Sequence, residues 1–360
     1  MDKNRETEKL KLCLPLVIRW YADCGRPLPW RQEPSPYHVW ISEIMLQQTR
    51  IEAVIPYYRR FLREFPTVEA LAGAEDERLM KLWEGLGYYS RARNLKKAAL
   101  LLTARYGGEL PHKAEELTKL PGIGDSTAGA IASIAYGQPE PAVDGNVLRV
   151  MSRLLADDGD ITQTDTKKRI TALLRQSYPG GKDAALLTEG LMELGETLCI
   201  PKGAPECAQC PLRGHCLAHL SGREEHFPVK TPPKARRTEE RTVFLLCNKG
   251  RYAIRRRPER GLLAGLWEFP NCEGKLSAEE AAARAESLGL TVTGCTPCAA
   301  HTHVFTHVEW HMEACLLNCA GEGGDFLWKS PEEIARDYSL PTAFRFCLNL
   351  ISGANKGGRA

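Results

Sequence analysis

The chain has 360 residues, of which 43% are hydrophobic and 26% are charged, a composition typical of a soluble globular protein long enough for two domains. The charged N-terminus lacks the apolar segment of a signal peptide, and no run of about 18 apolar residues occurs, so we expect a cytoplasmic protein without a membrane span. Thirteen cysteines in a reducing compartment indicate free thiols and one metal site rather than a disulfide framework.

The first half of the chain is predicted to be helical. Apolar residues recur at helical spacing through 8–226, with Gly or Pro at the breaks, which predicts an all-α domain that we bound at 1–227. Three prolines and dense charge in 227–241 then predict an extended linker, which we place at 228–238. Positive charge is concentrated between Lys230 and Arg260, with eleven Lys and Arg against three Glu. Such a stripe is most often a solvated linker and supports nucleic-acid binding only if other features agree.

The periodicity changes after the linker, and residues 239–352 are predicted to form an α+β domain. Two strands are expected around the turn at Asn248–Gly250, and a further strand within 307–317 alternates apolar and polar residues. Capping signals predict the starts of two helices, at Ser277 with Glu280 and at Ser330-Pro331 with Glu333.

A cluster of four cysteines, Cys199, Cys207, Cys210 and Cys216, indicates a metal site. Four thiolates in one short loop can bind zinc or hold a [4Fe-4S] cluster, and zinc sites usually pair two CxxC knuckles. Here one CxxC is flanked by intervals of seven and five residues. This asymmetric loop resembles the iron–sulfur loop of the endonuclease III and MutY families of DNA glycosylases, apart from one extra residue in the first interval. A loop tolerates one extra residue at small cost, so we expect a [4Fe-4S] cluster, with zinc and chance clustering as alternatives.

A glycine-rich turn at 121–124 indicates a DNA-binding hairpin. Gly122 and Gly124 lie between a short helix and a longer one, permit positive φ, and let backbone N–H groups approach a phosphate. The segment therefore predicts a helix–hairpin–helix element, with an ordinary tight turn as the alternative. Twenty residues later, Asp144 precedes an apolar helix, where an N-cap is the common use of an aspartate.

Glu43 is the candidate general acid. It lies among apolar residues in the stretch 39–46, so its carboxyl would be poorly hydrated, its pKa would rise, and it could donate a proton near neutral pH. The alternative is an exposed glutamate on a helix surface, which is the commoner case for a glutamate considered alone.

Taken in order, these motifs resemble the MutY family of adenine DNA glycosylases, which remove adenine paired with 8-oxoguanine. The resemblance implies a monomeric, bacterial-type repair enzyme that acts at the nucleoid on double-stranded DNA containing adenine opposite 8-oxoguanine. It also implies that Glu43 protonates the adenine and that Asp144 stabilises the cationic sugar, as in retaining glycosidases.

The resemblance implies roles for further residues as well. Trp30, Arg31 and Glu189 correspond to residues lining the adenine pocket, while Gln48 and Tyr88 correspond to residues that enter the duplex beside the lesion. Lyase members of the superfamily carry a Schiff-base lysine where this chain has Ser126. We therefore expect a monofunctional glycosylase.

The second domain resembles the Nudix-like C-terminal domain of the same family, which reads 8-oxoguanine. Its helix keeps one usable carboxylate, Glu286, where a Nudix hydrolase needs several to hold magnesium, so we expect no catalysis there. Phe305, Thr306 and His307 match the family's Phe-Ser-His motif, provided that they lie in a turn before the strand. A second metal site from Cys295, Cys298, His301 and His303 is an open alternative to ordinary strand and loop residues.

Three other classes of function are weighed against this one. A bifunctional glycosylase and lyase of the endonuclease III type is disfavoured by Ser126, and a Nudix pyrophosphohydrolase by the missing carboxylates. A non-catalytic DNA-binding iron–sulfur protein has the same composition, and only the pair Glu43 and Asp144 argues against it.

Overall fold

The structure, a computed structural model, describes residues 3–232 and 235–354. The chain forms two compact units, one built from 1–74 and 93–232 and the other from 75–92 and 233–360. The first unit is helical, and the second contains the β-sheet, so the predicted combination of an all-α and an α+β domain is confirmed. The boundaries at 227 and 239 stay predictions. Among the described helices, none combines the length and the apolar character needed to cross a membrane.

The helices before the linker follow one another through short turns. They are α1 (Lys3–Cys24), α2 (Pro29–Gln32), α3 (Pro36–Leu46), α4 (Ile51–Glu64), α5 (Val68–Ala72), α6 (Asp76–Trp83), α7 (Ser90–Tyr106), α8 (Ala114–Leu117), α9 (Asp125–Ala130), α10 (Gly145–Leu155), α11 (Thr164–Arg175), α12 (Lys182–Thr197) and α13 (Leu217–Leu220). A π-helical segment, Ile131–Ala135, continues α9 without a break.

Local chemistry fixes the starts of the two helices that carry the candidate acids. At α3, the Ser35 hydroxyl accepts a hydrogen bond from the backbone N–H of His38 at 3.2 Å, and Pro36 occupies the first turn. At α10, the Asp144 carboxylate accepts one from the backbone N–H of Val147 at 2.8 Å. Asp144 therefore does act as an N-cap, and this bond holds its side chain in place at the end of the helix.

The core of the first unit forms where α1, α10, α11 and α12 pack together. Leu14, Met151, Leu174, Leu187 and Leu194 are among the side chains that meet there, each at most 2% exposed. Burial of this apolar surface stabilises the arrangement and fixes α10 against α12. The N-terminal end of α10 and one face of α12 thereby become fixed walls of the candidate site.

A mixed seven-stranded sheet forms the centre of the second unit. Its strands are β1 (Arg237–Asn248), β2 (Arg251–Arg256), β3 (Trp267–Glu268), β4 (Asn271–Glu273), β5 (Val292–Val304), β6 (Val308–Cys319) and β7 (Leu327–Lys329). The main order is β3-β2-β1-β6-β5, with β4 paired to β1 and β7 to β2. Only the pair β1 and β6 is parallel among the described strands. The hairpin predicted around the turn at Asn248–Gly250 is confirmed by the antiparallel pair β1 and β2.

Helices cover both faces of this sheet. Helix α14 (Ala278–Glu286) buries Ala281 and Ala285 on one face, and α15 (Pro331–Asp337) and α16 (Arg345–Ala354) pack on the other. The alternation predicted for 307–317 is confirmed, because Val308, Trp310 and Met312 are buried between less buried polar neighbours. The capping boxes predicted at Ser277 and Ser330 are both present.

The basic stretch after the linker is largely folded. Strand β1 begins at Arg237, within the predicted linker, and several arginines of this stretch form ion pairs inside the second unit. Arg251 pairs with Glu322 at 2.9 Å, and Arg255 pairs with the buried Glu268 at 2.9 Å. These charges are balanced by carboxylates, so the stripe gives little support for nucleic-acid binding.

Replacing Leu187 by Ala tests the core of the first unit. Leu187 is 0% exposed, so the truncation leaves a cavity, and we expect the free energy of unfolding to fall by about 2–5 kcal/mol. Leu100→Ala is the matched control, because Leu100 is 50% exposed and should change stability by less than about 0.5 kcal/mol. Urea unfolding followed by far-ultraviolet circular dichroism measures both. Equal losses in the two variants would contradict this assignment of the core.

Candidate active site

A cleft of about 600 Å³ opens in the first unit and contains both candidate acids. Its walls come mainly from α2, α3, α9, α10, α12 and the turn after α3, with Ile51 of α4 and Lys167 of α11 at the edge. Of the residues predicted for the site, the cleft is lined by Trp30, Arg31, Glu43, Gln48, Gly124, Ser126, Asp144 and Glu189. The structure therefore brings most of the predicted catalytic and pocket residues around one cavity.

Glu43 lies on the inner side of α3, between the buried residues Ser42 and Ile44. Burial raises the pKa of its carboxyl to about 8, with further contributions from the negative charges of Asp144 and Glu189, while Arg31 acts in the opposite direction. No described residue donates a hydrogen bond to this carboxyl group. Glu43 is thus protonated at neutral pH, which is the state of a proton donor.

Asp144 faces the same cleft from the start of α10. Burial raises the pKa of its carboxyl too, but the backbone N–H groups of Val147 and Asn146 and the charge of Arg149 oppose that rise. The Asn146 side chain also donates to it, from Nδ2 to Oδ2 at 3.2 Å. Hydrogen bonds stabilise a carboxylate rather than a carboxylic acid. Of the two carboxyl groups, Asp144 is therefore the one whose anion is stabilised by hydrogen bonds.

Asn146 and Arg149 support Asp144 and were not found from the sequence. Arg149 is 4% exposed and donates to the Asn146 side chain at 2.8 Å, to the carbonyl of Gly195 at 2.7 Å and to the carbonyl of Cys199 at 2.7 Å. This chain of bonds joins the catalytic end of α10 to the end of α12. The clue in the sequence was a polar residue one helical turn before an arginine on a largely apolar helix.

The other wall of the cleft is a network of charged side chains from α1, α2 and α12. Arg31 lies 3.7 Å from Glu189 and 3.0 Å from Glu193, and the hydroxyl of Tyr21 donates to Glu189 at 3.0 Å. Trp30 is 6% exposed, with its ring edge-on to that of Tyr58. Tyr21 and Glu193 were not found from the sequence, because only the fold brings α1 and α12 against α2.

Gln48 and Tyr88, the two residues predicted to enter the duplex, share an unusual backbone conformation. Their φ angles are +58° and +46°, in the left-handed region that costs a non-glycine residue on the order of 1 kcal/mol. Gln48 lines the cleft, whereas Tyr88 belongs to the second unit and is 49% exposed. The Tyr88 hydroxyl lies 2.9 Å from that of Thr306.

The segment 305–307 forms the turn between β5 and β6, which is the position that the motif requires. The backbone N–H of Phe305 donates to the carbonyl of Val308 at 2.8 Å, and its ring packs edge-on against Trp310. Thr306 and His307 are exposed. The turn therefore presents a hydroxyl and an imidazole on a surface that also carries Tyr88.

The two glycines of the hairpin at 121–124 adopt different backbone conformations. Gly122 has a φ of +82°, and a Cβ there would lie 2.8 Å from the Cβ of Asn94, so glycine is required. Gly124 has a φ of −94°, so it does not use the positive φ that a glycine permits. An extended N-cap before α9 needs no left-handed residue. A Cβ on Gly124 would meet nothing within 4 Å, which leaves its backbone open to a ligand.

The four clustered cysteines, Cys199, Cys207, Cys210 and Cys216, lie together beside the helical core. All are partly buried, and the Arg153 guanidinium donates to the Cys199 sulfur at 3.3 Å. Zinc would bring the sulfurs to ~3.8 Å from one another, and no three of these described sulfurs lie within 4.8 Å of each other. Four thiolates are a donor set that can hold a [4Fe-4S] cluster. Cys207 also lies within 4.8 Å of ligand atoms on His219 and Glu224.

The four residues of the alternative metal site in the second unit are not gathered as ligands among the described residues. Cys295, Cys298, His301 and His303 all lie on β5, and the described residues gather no three ligand atoms from them. His301 instead stacks on Phe346, with ring centroids 4.8 Å apart. These four residues are ordinary strand residues in this structure.

The chain resembles known proteins in both halves. Residues 41–176 match the HhH-GPD superfamily of base excision DNA repair proteins, and residues 242–350 match the NUDIX domain. An adenine DNA glycosylase of Buchnera aphidicola subsp. Acyrthosiphon pisum is 31% identical over 303 residues, covering 84% of this chain and 85% of the relative. One of Homo sapiens is 36% identical over 309 residues, covering 71% of this chain and 56% of that protein. The solved structure of a thermostable thymine-DNA glycosylase matches with a TM-score of 0.54 and 26% identity, over 59% of this chain and 98% of that one.

Fold, site and matched domains define a base-excision-repair protein that joins a helical HhH-GPD domain to a NUDIX domain. The match to the bacterial relative identifies the family more closely, because it spans most of both chains. The chain belongs to the adenine DNA glycosylase family, and the resemblance inferred from its motifs is confirmed.

Proposed function

We propose that the chain hydrolyses the N-glycosidic bond of adenine in double-stranded DNA, where adenine lies opposite 8-oxoguanine or guanine. The observation that carries this proposal is the pair of acids in one cleft, where burial raises the pKa of Glu43 to about 8 while hydrogen bonds and Arg149 oppose the rise at Asp144. A cleft of about 600 Å³ is in the range of small-ligand sites and can admit one extruded base. The enzyme acts as a monomer on a duplex whose adenine has left the stack.

Each acid has one role in the reaction. Glu43 donates its proton to a ring nitrogen of adenine, so the base leaves as a neutral molecule. Breaking the bond leaves positive charge on the sugar, and the Asp144 carboxylate stabilises that cation or bonds to it. Water then adds to the sugar, and its proton returns to a carboxylate of the pair. Trp30, Arg31 and Glu189 line the space that holds the base.

The reaction ends at an abasic site in an intact strand. Lyase chemistry needs an amine that can form a Schiff base with the sugar, and the position used for this in the superfamily is Ser126. A hydroxyl cannot take that role. The hairpin backbone at Gly122 and Gly124 contacts a phosphate of the same strand, which is supported by the open space beside Gly124.

Recognition of 8-oxoguanine is assigned to Tyr88 and the turn at 305–307. Gln48 and Tyr88 enter the duplex, and their strained backbones hold the two side chains out of the helical fold. The Thr306 hydroxyl donates to or accepts from the oxidised base, with Tyr88 as its present partner at 2.9 Å. Phe305 and His307 flank that hydroxyl and complete the reading surface.

The four clustered cysteines are assigned to a [4Fe-4S] cluster. When bound, it would cross-link the loop 199–216 and supply no open coordination position for substrate. Arg153 supports the loop, because it donates to the Cys199 sulfur and to the carbonyls of Ile200 and Phe227. The role of the cluster is therefore structural: it holds the cysteine loop in place beside α10.

Replacing Glu43 by Gln tests the acid. We expect adenine release to fall by at least about 10²-fold, because the amide cannot donate a proton of that acidity, while binding to the adenine·8-oxoguanine duplex remains. Single-turnover excision is measured with and without alkali, so that strand cleavage is scored separately. Glu52→Gln, on the exposed side of α4, is the matched control. Excision by Glu43→Gln at the wild-type rate would show that another group donates the proton.

Replacing Thr306 by Ala tests lesion reading. Loss of one hydrogen bond should lower the preference for 8-oxoguanine over guanine by about three- to tenfold. The ratio of excision rates on the two duplexes measures it, and Thr302→Ala, an exposed threonine on β5, is the control. An unchanged ratio in Thr306→Ala would remove this residue from the reading surface.

Replacing Cys210 by Ser tests the cluster. We expect the purified wild-type chain to be brown and to contain four iron atoms, and the variant to lose most of that iron and colour, because one of four ligands is gone. Iron and zinc analysis with a visible absorption spectrum measures this, and Cys298→Ser is the matched control. Stoichiometric zinc in the wild-type chain would contradict the assignment of a [4Fe-4S] cluster.

A further inference from the structure

The charged network behind the cleft contains a buried carboxylate with no role in the reaction so far. Glu193 lies on α12, one turn after Glu189, and its side chain is only 2% exposed. A buried carboxylate is costly unless it is paired, so its partners indicate why it is there. Glu193 binds two arginines at once.

Glu193 is bound tightly by both partners. Its Oε1 lies 2.5 Å from Nε of Arg26, and its Oε2 accepts from Nη2 of Arg26 at 3.1 Å and from Nη2 of Arg31 at 3.0 Å. Arg31 also donates from Nη1 to the carbonyl of Arg26 at 3.1 Å. Because a guanidinium is rigid and planar, these bonds fix both the position and the orientation of Arg31.

Arg31 is the one cation among the charged groups that shift the proton on Glu43. Three groups face Glu43 from other elements: Asp144 at the start of α10, Glu189 on α12 and Arg31 on α2. The remaining charged side chains on the cleft wall are Arg26, Asp125, Lys167, Glu193 and Glu196. The two carboxylates hold the proton on Glu43, and the guanidinium of Arg31 acts to remove it.

We propose that Glu193 is a positioning residue that holds Arg31 at the wall of the base pocket and offsets its positive charge, so that Glu43 keeps the proton it must donate. The inference rests on the proposed role of Glu43 as the acid. Arg31 can then contact the extruded base without acting as a full positive charge next to the proton donor. Tyr21 completes the support, since its hydroxyl binds Glu189 and its ring lies under the Arg31 guanidinium at 5.2 Å.

The test is the pH profile of single-turnover adenine excision, whose alkaline limb follows the loss of the acid's proton. Glu193→Gln keeps the shape but removes the charge, so the guanidinium of Arg31 is no longer offset and the limb should move to lower pH by about one unit. Arg26→Gln should move it to higher pH, because Glu193 is then wholly available to Arg31. Glu140→Gln is the control, a carboxylate paired with Arg175 at 2.7 Å outside this cleft, and should keep the wild-type limb.

If Glu193 had only a structural role, its replacement would lower the rate of adenine excision at every pH and leave the alkaline limb at the wild-type pH. That result in folded Glu193→Gln overturns the proposal. If Glu193→Gln does not fold, as judged by circular dichroism, Arg26→Gln becomes the test. An alkaline limb of Arg26→Gln that stays at the wild-type pH or moves to lower pH overturns the proposal. Failure of the proposed function looks different. In that case the wild-type chain releases no adenine, or Glu43→Gln releases it as fast as the wild type.

Discussion

The proposed chemistry depends on two carboxyl groups, Glu43 and Asp144, that are buried in one cleft. Burial raises the pKa of both carboxyl groups, and the negative charge of Asp144 raises the pKa of Glu43 further. What distinguishes them is hydrogen bonding. Asp144 accepts from a backbone N–H and from Asn146, whereas no described residue donates to Glu43. Both side chains are carboxyl groups, and the difference in hydrogen bonding favours Glu43 as the proton donor and Asp144 as the anion.

The rest of the first unit maintains that difference. Packing of α10 against α12 brings Arg149 to Asn146, and Arg149 in turn binds carbonyls at the end of α12, which leads into the cysteine loop. A change in the cysteine loop could therefore reach Asp144 through the position of Arg149. On the opposite wall, Glu193 and Tyr21 restrain Arg31 and Glu189. Both supports use buried charges, each with a partner, as the low-dielectric interior requires.

Those features of the fold and of the candidate site that depend on a few adjacent residues could be predicted from the sequence. The apolar neighbours of Glu43, the capping boxes at Ser277 and Ser330, and the alternation in β6 are properties of a few adjacent residues. The motif at 305–307 also falls in the turn that it needs. The proximity of Glu43 to Asp144 depended on resemblance rather than on a local pattern, since they are about a hundred residues apart.

The parts that could not be predicted depend on distant segments. Tyr21 and Glu193 are separated by most of the first unit and meet only when α1 packs on α12. The sequence could not predict the φ of Gly124, because a glycine permits positive φ without requiring it. The basic stretch from Lys230 to Arg260 was interpreted as most often a solvated linker, and the fold supplies carboxylate partners for several of its arginines from elsewhere in the second unit.

The most direct measurement is a titration of the Glu43 carboxyl in the free protein, by ¹³C NMR with glutamate labelled at the side-chain carboxyl and the resonance assigned by its loss in Glu43→Gln. We expect a midpoint near pH 8, with the group protonated throughout the neutral range. A midpoint near the ordinary value of 4.5 would contradict the central claim, because Glu43 would then be ionised in the cleft and have no proton to donate.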